Sequence, residues 1–444
     1  MNKFLLLKQY TLSKYIRRFP SSKALKAYQN KKIKKHLAFV LTHSSFYRNF
    51  YSDHLQKVNW ETLPIITKRE MMDHFNEINT AGVTKEEAFQ LAIKAERTRD
   101  FSPKIDQISI GLSSGTSGNR GLFLVSDKES AMWAGEVLAK LLPGSLMKEH
   151  KIAFFLRANN NLYESTNSRK ISFHFFDLVD DIKRHMSRLN ELKPTIIIAP
   201  PSMLRIIAEW KGNNLINITP QKIISVAEVL EDVDKDYIEA VFQQTLHQVY
   251  QATEGFLATT CSYGVLHMNE DLLAIQKEYL DKDKGIFVPI ITDFTRRTQP
   301  LIRYRLNDLL IERKTPCPCG SHFLALDRID GRCDDIFYGV HEQTGKKHML
   351  FPDFIRRAIM LSSDDILEYK VTQKELLIIE IKLKVKSEKA GIEAKVMLEL
   401  KKLWKEYLLV IPQFTFSEYD LITSGRKRKR IENAVKENVH HETI

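Results

Sequence analysis

Four cysteines in a chain of 444 residues are too few for the disulfide framework of a small secreted protein. No run approaches the roughly 18 to 20 consecutive apolar residues that cross a bilayer, so no membrane partner is expected. The only apolar block near the N terminus is Phe4-Leu5-Leu6-Leu7, shorter than the core of a signal peptide. These absences together predict a cytoplasmic protein. There is no internal repeat and no low-complexity tract. Basic motifs interleaved with aromatic residues are also missing, which argues against nucleic acid as the main partner.

What is present is ordinary for a globular protein: 43% hydrophobic and 27% charged residues. The length allows about three domains, or fewer if one is a large α/β core. A net charge of +12 favours anionic partners, nucleotides included. Basic residues occur along the whole chain, with one dense run from Arg426 to Arg430.

Residues 1–60 read as a helical cap, with Ile33, Leu37, Val40 and Leu41 at helical spacing and Phe46, Tyr47 and Phe50 after them. Leu63 to Lys68 then punctuates the chain before a helix near Lys68 to Phe75. From about residue 105 to 310, apolar runs alternate with amphipathic segments. Lys151 to Leu156, Thr195 to Ala199, Lys222 to Val226 and His247 to Tyr250 are continuous rather than alternating. That predicts strands buried on both faces in a mostly parallel sheet. Ligands of such sheets bind at the carboxyl ends of the strands. After Gly331 the pattern changes. Ile379, Ile381, Leu383 and Val385 alternate with charged residues, Ile392, Val396, Leu400 and Leu403 mark a helix, and Phe414 to Phe416 another strand. The expected division is a large α/β domain over 61–332, carrying the 1–60 cap, and a small α+β domain over 333–444.

Four stretches carry chemistry. The loop Ser113-Ser114-Gly115-Thr116-Ser117-Gly118-Asn119-Arg120-Gly121 lies between two apolar runs. Its glycines and hydroxyls could converge N–H and O–H donors on phosphate, with Arg120 as a forked cation. It has neither the Walker nor the Rossmann spacing, and its composition also suits a plain surface loop. Tyr250-Gln251-Ala252-Thr253-Glu254-Gly255 ends a strand with a hydroxyl and a carboxylate, hard ligands suited to Mg²⁺. The same residues would suit a helix start, where acidic side chains favour the dipole. Pro300 to Leu309 sets Asp308 where it could accept ribose hydroxyls or pair with Arg303 or Arg305. Arg328 to Asp335 falls at the change of composition, where Arg332 and Asp334 fit a hinge or a charged turn.

The order of these four motifs resembles the adenylate-forming enzymes. Leu63 to Lys68, Ile302 to Leu309 and Cys317-Pro318-Cys319-Gly320 look like the phenylacetate–coenzyme A ligase branch, and are similar to relatives named for synthetases that adenylylate a deazaflavin coenzyme. The resemblance implies an acyl-CoA synthetase-like fold and ATP-dependent activation of a carboxylic acid, with coenzyme A or a carrier thiol as acceptor. Two other readings stay open: adenylylation of a hydroxylated metabolite, and a nucleotide-binding or basic interaction protein without catalysis. A homodimer stays open too. The resemblance further implies phosphate binding by Ser113 to Gly121, with Ala227 and Glu228 beside the adenine. Tyr250 would contact ATP, Thr253 and Glu254 would lie at the phosphates and Mg²⁺, Asp308 and Arg332 on the ribose, and Asp334 at the hinge. Lys427, or else Lys429, takes the place of the C-terminal catalytic lysine; the alternative for this basic run is a solvated tail. Asn119-Arg120 stands where the family has Pro-Lys, and Leu306-Asn307 where it has Thr-Gly.

Cys317-x-Cys319, with Cys261 and His267, has the composition of a closed tetrahedral Zn²⁺ site, a pairing that related ligases often carry. His322 is the substitute ligand, and Cys333 is unrelated. C-x-C is also compatible with buried thiols alone. Phe173-His174-Phe175-Phe176 fits either an acyl pocket or plain core.

Overall fold

The computed structural model describes residues 2–57, 59–113, 120–156, 169–178, 180, 182–363, 365–419 and 429–435. It divides into two compact units, Met1–Leu306 with Leu310–Ile329, and Asn307–Leu309 with Asp330–Ile444.

In the first unit, helix α1 (Lys3–Thr11) is capped by the Asn2 side chain and helix α2 (Ser22–His43) by Ser21. Helix α2 buries Leu25, Gln29, Ile33, His36, Leu37 and Val40, one residue per turn. Helix α1 lies against the helix Asp127–Leu141, where Leu6 and Tyr10 join Ala134 and Leu138 in one apolar cluster. The approach is close because residue 135 is glycine; a Cβ there would sit 2.5 Å from the Leu6 carbonyl oxygen. A buried ion network closes this packing. Arg17 meets Glu136 at 2.5 Å and Asp271 at 3.3 Å, and Lys140 meets Asp271 at 2.9 Å. Burial opposes the Asp271 charge, but Lys140 and Arg17 together hold its carboxyl below the ordinary value.

Strands β1 (Ile108–Leu112) and β2 (Leu122–Ser126) form an antiparallel pair. A twelve-stranded sheet holds the rest. Its parallel half comprises β3 (His150–Leu156), β4 (Ile171–Asp177), β5 (Ile196–Ala199), β6 (Lys222–Ser225) and β7 (Leu246–Ala252), in the order β4-β3-β5-β6-β7. The helices Ile182–Leu192, Pro201–Gly212 and Asp232–Phe242 make the crossovers, as parallel pairing requires. The other half contains β8 (Gly255–Thr260), β9 (Leu266–Met268), β10 (Leu273–Asp281), β11 (Ile286–Asp293), β12 (Leu301–Arg305), β13 (Asp308–Glu312) and β14 (Ala325–Arg332). Here β7–β8, β8–β9, β9–β14, β10–β11, β11–β12 and β11–β13 are antiparallel. The sheet is therefore mixed, whereas the sequence suggested a mostly parallel one. Antiparallel strands need only tight turns between them, and the apolar run 286–291 of β11, a strand buried at all eight positions, carries no mark of its partner's direction.

In the second unit, β15 (Phe337–Val340) pairs with β16 (Lys347–Leu350). Strands β17 (Ile366–Glu375), β18 (Ile378–Val385), β19 (Gln413–Glu418) and β20 (Ile431–Asn433) form a sheet ordered β19-β18-β17-β20. Ile379, Ile381 and Leu383 alternate inward from β18 and join Ile392, Val396, Leu400 and Trp404 of the helix Lys389–Glu406 in one core. Among the described residues no helix is long and apolar enough to cross a membrane.

Candidate active site

The stem of the glycine-rich loop is closed at both ends by one pair of residues. The Ser113 N–H donates to the Gly121 carbonyl at 2.8 Å, and the Gly121 N–H donates to Ser113 Oγ at 2.7 Å. Residues Ser114, Gly115, Thr116, Ser117, Gly118 and Asn119 lie outside the described residues. The fork of Arg120 is taken by Glu96, a bidentate ion pair that holds the guanidinium beside the helix Lys85–Thr98. The cation that flanks the stem from another element is Lys68. Its Cε lies 3.0 Å and its Nζ 3.8 Å from where a Gly121 Cβ would stand. Lys68 is the first residue of a helix that Thr67 and Glu70 cap reciprocally, which fixes its start. Sequence reasoning took Lys68 as a helix start and as the end of a stretch that resembles the phenylacetate–coenzyme A ligase branch, and missed it as a neighbour of the loop. Its one visible signal was a lysine just after Leu63 to Thr67.

Thr253 and Glu254 form the two-residue turn between β7 and β8, with Ala252 opposite Gly255. The hairpin removes the alternative of a helix start. Gly255 has φ +151°, and a Cβ there would press within 3.2 Å of the Asp293 carboxylate, so the turn needs glycine at this point. Thr253 Oγ1 donates to Glu254 Oε2 at 2.7 Å, and the buried Tyr304 hydroxyl donates to Glu254 Oε1 at 3.3 Å. Arg296, which sequence reasoning also missed, donates to the Thr253 carbonyl at 2.7 Å and to the Leu124 carbonyl of β2 at 3.3 Å. One guanidinium thus ties the Thr253-Glu254 turn to the strand that leaves the glycine-rich loop. Gln299 adds to the stitch, accepting from Leu124 N–H at 2.9 Å and donating to the Leu122 carbonyl at 3.2 Å. Tyr250 is buried in β7.

Ala227 and Glu228 follow β6, the parallel neighbour of β7, so these residues and Thr253-Glu254 leave the carboxyl ends of adjacent strands. The Glu228 carboxylate accepts from the Ser202 N–H at 3.4 Å. Ala227 has φ +68°, a left-handed conformation that costs a residue with a Cβ about 1–2 kcal/mol. Such strain concentrates where a site holds its backbone in place. Ala227→Gly should therefore stabilise the folded chain by about 0.5–1 kcal/mol once the greater freedom of unfolded glycine is subtracted. Equilibrium urea unfolding measures this, and a loss of stability would show that the conformation is not strained.

Asp308, Arg332 and Asp334 belong to the second unit. There Arg332 Nε lies 3.8 Å from Asp308 Oδ1, and Asn307 donates to Asp334 Oδ2 at 2.7 Å. Arg305 is bidentate to Glu278, and Arg303 donates to Gln276 and to the Leu63 carbonyl. Lys427 lies outside the described residues; Lys429 pairs with Asp335 at 2.8 Å.

In the first unit, Cys261, His267, Cys317 and Cys319 bring their ligand atoms within 4.8 Å of one another. The Cys261 and Cys317 sulfurs are 3.7 Å apart, and Cys319 Sγ is 3.4 Å from His267 Nε2. Tetrahedral Zn²⁺ with bonds of about 2.3 Å to sulfur and 2.0–2.1 Å to nitrogen sets those edges at roughly 3.8 and 3.6 Å. His267 Nδ1 faces the Phe323 carbonyl at 3.2 Å, an outer contact that leaves Nε2 free to ligate. Burial lowers the His267 pKa, which favours the neutral ligand form, and pushes the Cys319 thiol up to about 11. At Cys317 burial acts in the same sense, but hydrogen bonds from Cys319 and Cys261 outweigh it and hold that thiol below the ordinary value. His322 instead faces the Pro20 carbonyl, and Cys333 lies in the second unit.

The aromatic run is strand β4. Phe176 is buried and stacks on Phe155 at 4.4 Å, whereas Phe173 packs on Phe154 at 4.9 Å. His174 is half-buried, with Nε2 3.0 Å from Ser172 Oγ. Both faces of the strand meet apolar clusters, Phe173 and Phe175 on one side and Phe176 on the other.

No protein-family profile matches the chain. Protein CapK of Staphylococcus aureus is 22% identical over 429 residues, covering 90% of this chain and 88% of that protein. Among solved structures, a 2-hydroxyisobutyryl-CoA ligase in the postadenylation state, in complex with 2-HIB-AMP, superposes with a TM-score of 0.69. It is 13% identical, over 94% of this chain and 90% of that one. The GH3.15 acyl acid amido synthetase superposes with a TM-score of 0.56 at 12% identity, over 89% and 88%. The architecture expected from the four ordered motifs is thus the observed one: this chain has the adenylate-forming ligase fold.

Proposed function

We propose that this protein activates a carboxylic acid with ATP and passes the acyl group to a thiol, coenzyme A before a carrier protein. The observation that carries the reading is the likeness, over nearly the full length of both chains, to a ligase solved with an acyl-adenylate bound. The ordered motifs support it, and the phenylacetate–coenzyme A ligase-like pattern makes aryl acids the first substrates to test.

In the first half-reaction a carboxylate oxygen attacks the α-phosphorus of ATP, and pyrophosphate leaves. The loop Ser113 to Gly121 holds the β- and γ-phosphates with backbone N–H and hydroxyl donors. Lys68 stands at its stem, and Arg120 shapes the loop through Glu96. Thr253 and Glu254 offer hard oxygens to Mg²⁺, which when bound neutralises phosphate charge. Ala227, Glu228 and Tyr250 border the adenine, and Asp308 and Arg332 hold the ribose. A C-terminal lysine, Lys427 before Lys429, stabilises the developing charge electrostatically. Rotation about Asp334 then admits the thiol, whose sulfur attacks the acyl carbon as AMP leaves. The Cys₃His cluster binds Zn²⁺ as a structural staple.

A pyrophosphate-release screen over aryl and aliphatic acids tests the reading. Acid-dependent release, with AMP and an acyl thioester formed once coenzyme A is added, is the expected result. A stable adenylylated alcohol, or no stimulation by any acid although ATP binds, would overturn it.

A further inference from the structure

The chain carries 67 basic and 55 acidic residues, yet this surplus is not spread along it. The first 52 residues contain nine lysines, three arginines and no Asp or Glu; from Asp53 onward 55 basic residues face 55 acidic ones. The whole net charge of +12 therefore resides in the N-terminal helices. Helix α2 alone exposes Lys23, Lys26, Lys31, Lys32, Lys34 and Lys35. Its buried positions recur once per turn, which leaves the lysines on the opposite, solvent side. Arg17 is turned inward to Glu136 and Asp271. The exposed lysines of α2 have no acidic partner among the described residues. The crowding registers on Lys32, whose pKa is lowered first by burial and then by Arg17, Lys35 and Lys31.

The same segment exposes large apolar side chains. Phe4 is 77% exposed, Leu7 52%, Tyr15 60% and Ile16 60%. Leu6, Gln9 and Tyr10 are the buried residues of α1, so Phe4 and Leu7 lie off the face that packs on the helix Asp127–Leu141. Scattered exposed leucines need no explanation, but four large apolar residues within thirteen positions, among cations only, are a different pattern.

We propose that the α1–α2 segment docks this protein on an anionic membrane surface, its lysines at lipid phosphates and its exposed apolar side chains in the headgroup layer. The chemistry distinguishes a bilayer from a nucleic acid. Lysine charge serves either polyanion, but Phe4, Leu7 and Ile16 gain from an interface that accepts aliphatic and aromatic groups, which a phosphate backbone does not offer. A lysine near an anionic leaflet strengthens binding by roughly fivefold, so a cluster suffices for reversible attachment without a spanning helix. The proposal departs from the expectation of no membrane partner, and needs no spanning helix.

Co-sedimentation of the full chain with vesicles of one-third phosphatidylglycerol and two-thirds phosphatidylcholine is the test. Binding is expected there, falling with added salt, and not with phosphatidylcholine alone. Reversing four charges (K31E, K32E, K34E and K35E together) should weaken it at least tenfold, and F4S with L7S several-fold with less dependence on salt. All six positions are exposed, and an unchanged unfolding midpoint checks the fold. No binding to the anionic vesicles, or equal binding by the charge-reversed variant, overturns the proposal. So does tight binding of single-stranded RNA without vesicle binding, or vesicle-independent self-association through these residues.

Discussion

Glu254→Gln should slow adenylate formation on the order of a hundredfold or more, the usual cost of removing one group that stabilises transferring charge. The fold should survive. Glutamine keeps an oxygen for the Tyr304 hydroxyl, now 3.3 Å from Glu254 Oε1, and can still meet Thr253 Oγ1. What it loses is the negative charge that the proposed site offers to Mg²⁺ at the phosphates. Tyr304 makes the comparison clean. Its hydroxyl is buried, and burial followed by the Glu254 charge raises its pKa well above the ordinary value, so it stays a neutral donor beside either side chain. Acid-dependent exchange of pyrophosphate into ATP measures the step. If the variant retains its rate within a few-fold, Glu254 is a structural partner of Tyr304 and Thr253 rather than a metal ligand.

Cys319→Ser should abolish stoichiometric zinc and lower the midpoint of thermal unfolding by about 1–2 °C, the scale expected when a chain of this size loses one or two kcal/mol. Ligands from the β8–β9 hairpin, Cys261 in its turn and His267 in β9, come within 4.8 Å of those of Cys317 and Cys319. Without the ion, sulfurs 3.7 Å apart would share a half-buried space with a neutral imidazole and gain little from one another. With it, the segment after β8 is joined to the turn before β14, at a strength that in small zinc domains decides folding outright. Metal analysis of the purified protein should give about one equivalent of zinc, and calorimetry with and without chelator reads the stability. Metal-free protein with an unchanged midpoint would reduce the cluster to buried thiols. Adenylation is a separate readout, since the cluster is proposed to staple loops and not to act on substrate.

The proposed site is legible as chemistry in a familiar order, because phosphate, Mg²⁺ and ribose each demand particular residue types in short local motifs. The Thr253-Glu254 stretch shows where that legibility stops. Its two residues named a ligand chemistry, but only the pairing of Ala252 with Gly255 shows a hairpin turn rather than a helix start. Arg120 shows the same limit in reverse. Its position in the loop suggested phosphate, whereas Glu96, 24 residues upstream, takes its fork. Lys68 and Arg296 escaped notice because neither lies within the motif it serves. Lys68 reaches the stem of a loop more than forty residues later, and Arg296 bridges two strands far apart in the chain.

From its order of residues alone, this protein's class of fold could be read, together with its buried strands and a cluster of four metal-ligand side chains. The buried strands follow from local spacing and composition, which travel with the chain, whereas the fold and the grouping of Cys261 and His267 with Cys317 and Cys319 rest on the resemblance of the ordered motifs to a known family. The direction of half the sheet, the owner of each cation and the neighbours of the glycine-rich loop were decided only in three dimensions. Continuous apolar strands are blind to the direction of their partners, and a charged side chain pairs with whatever opposite charge the packing brings within reach.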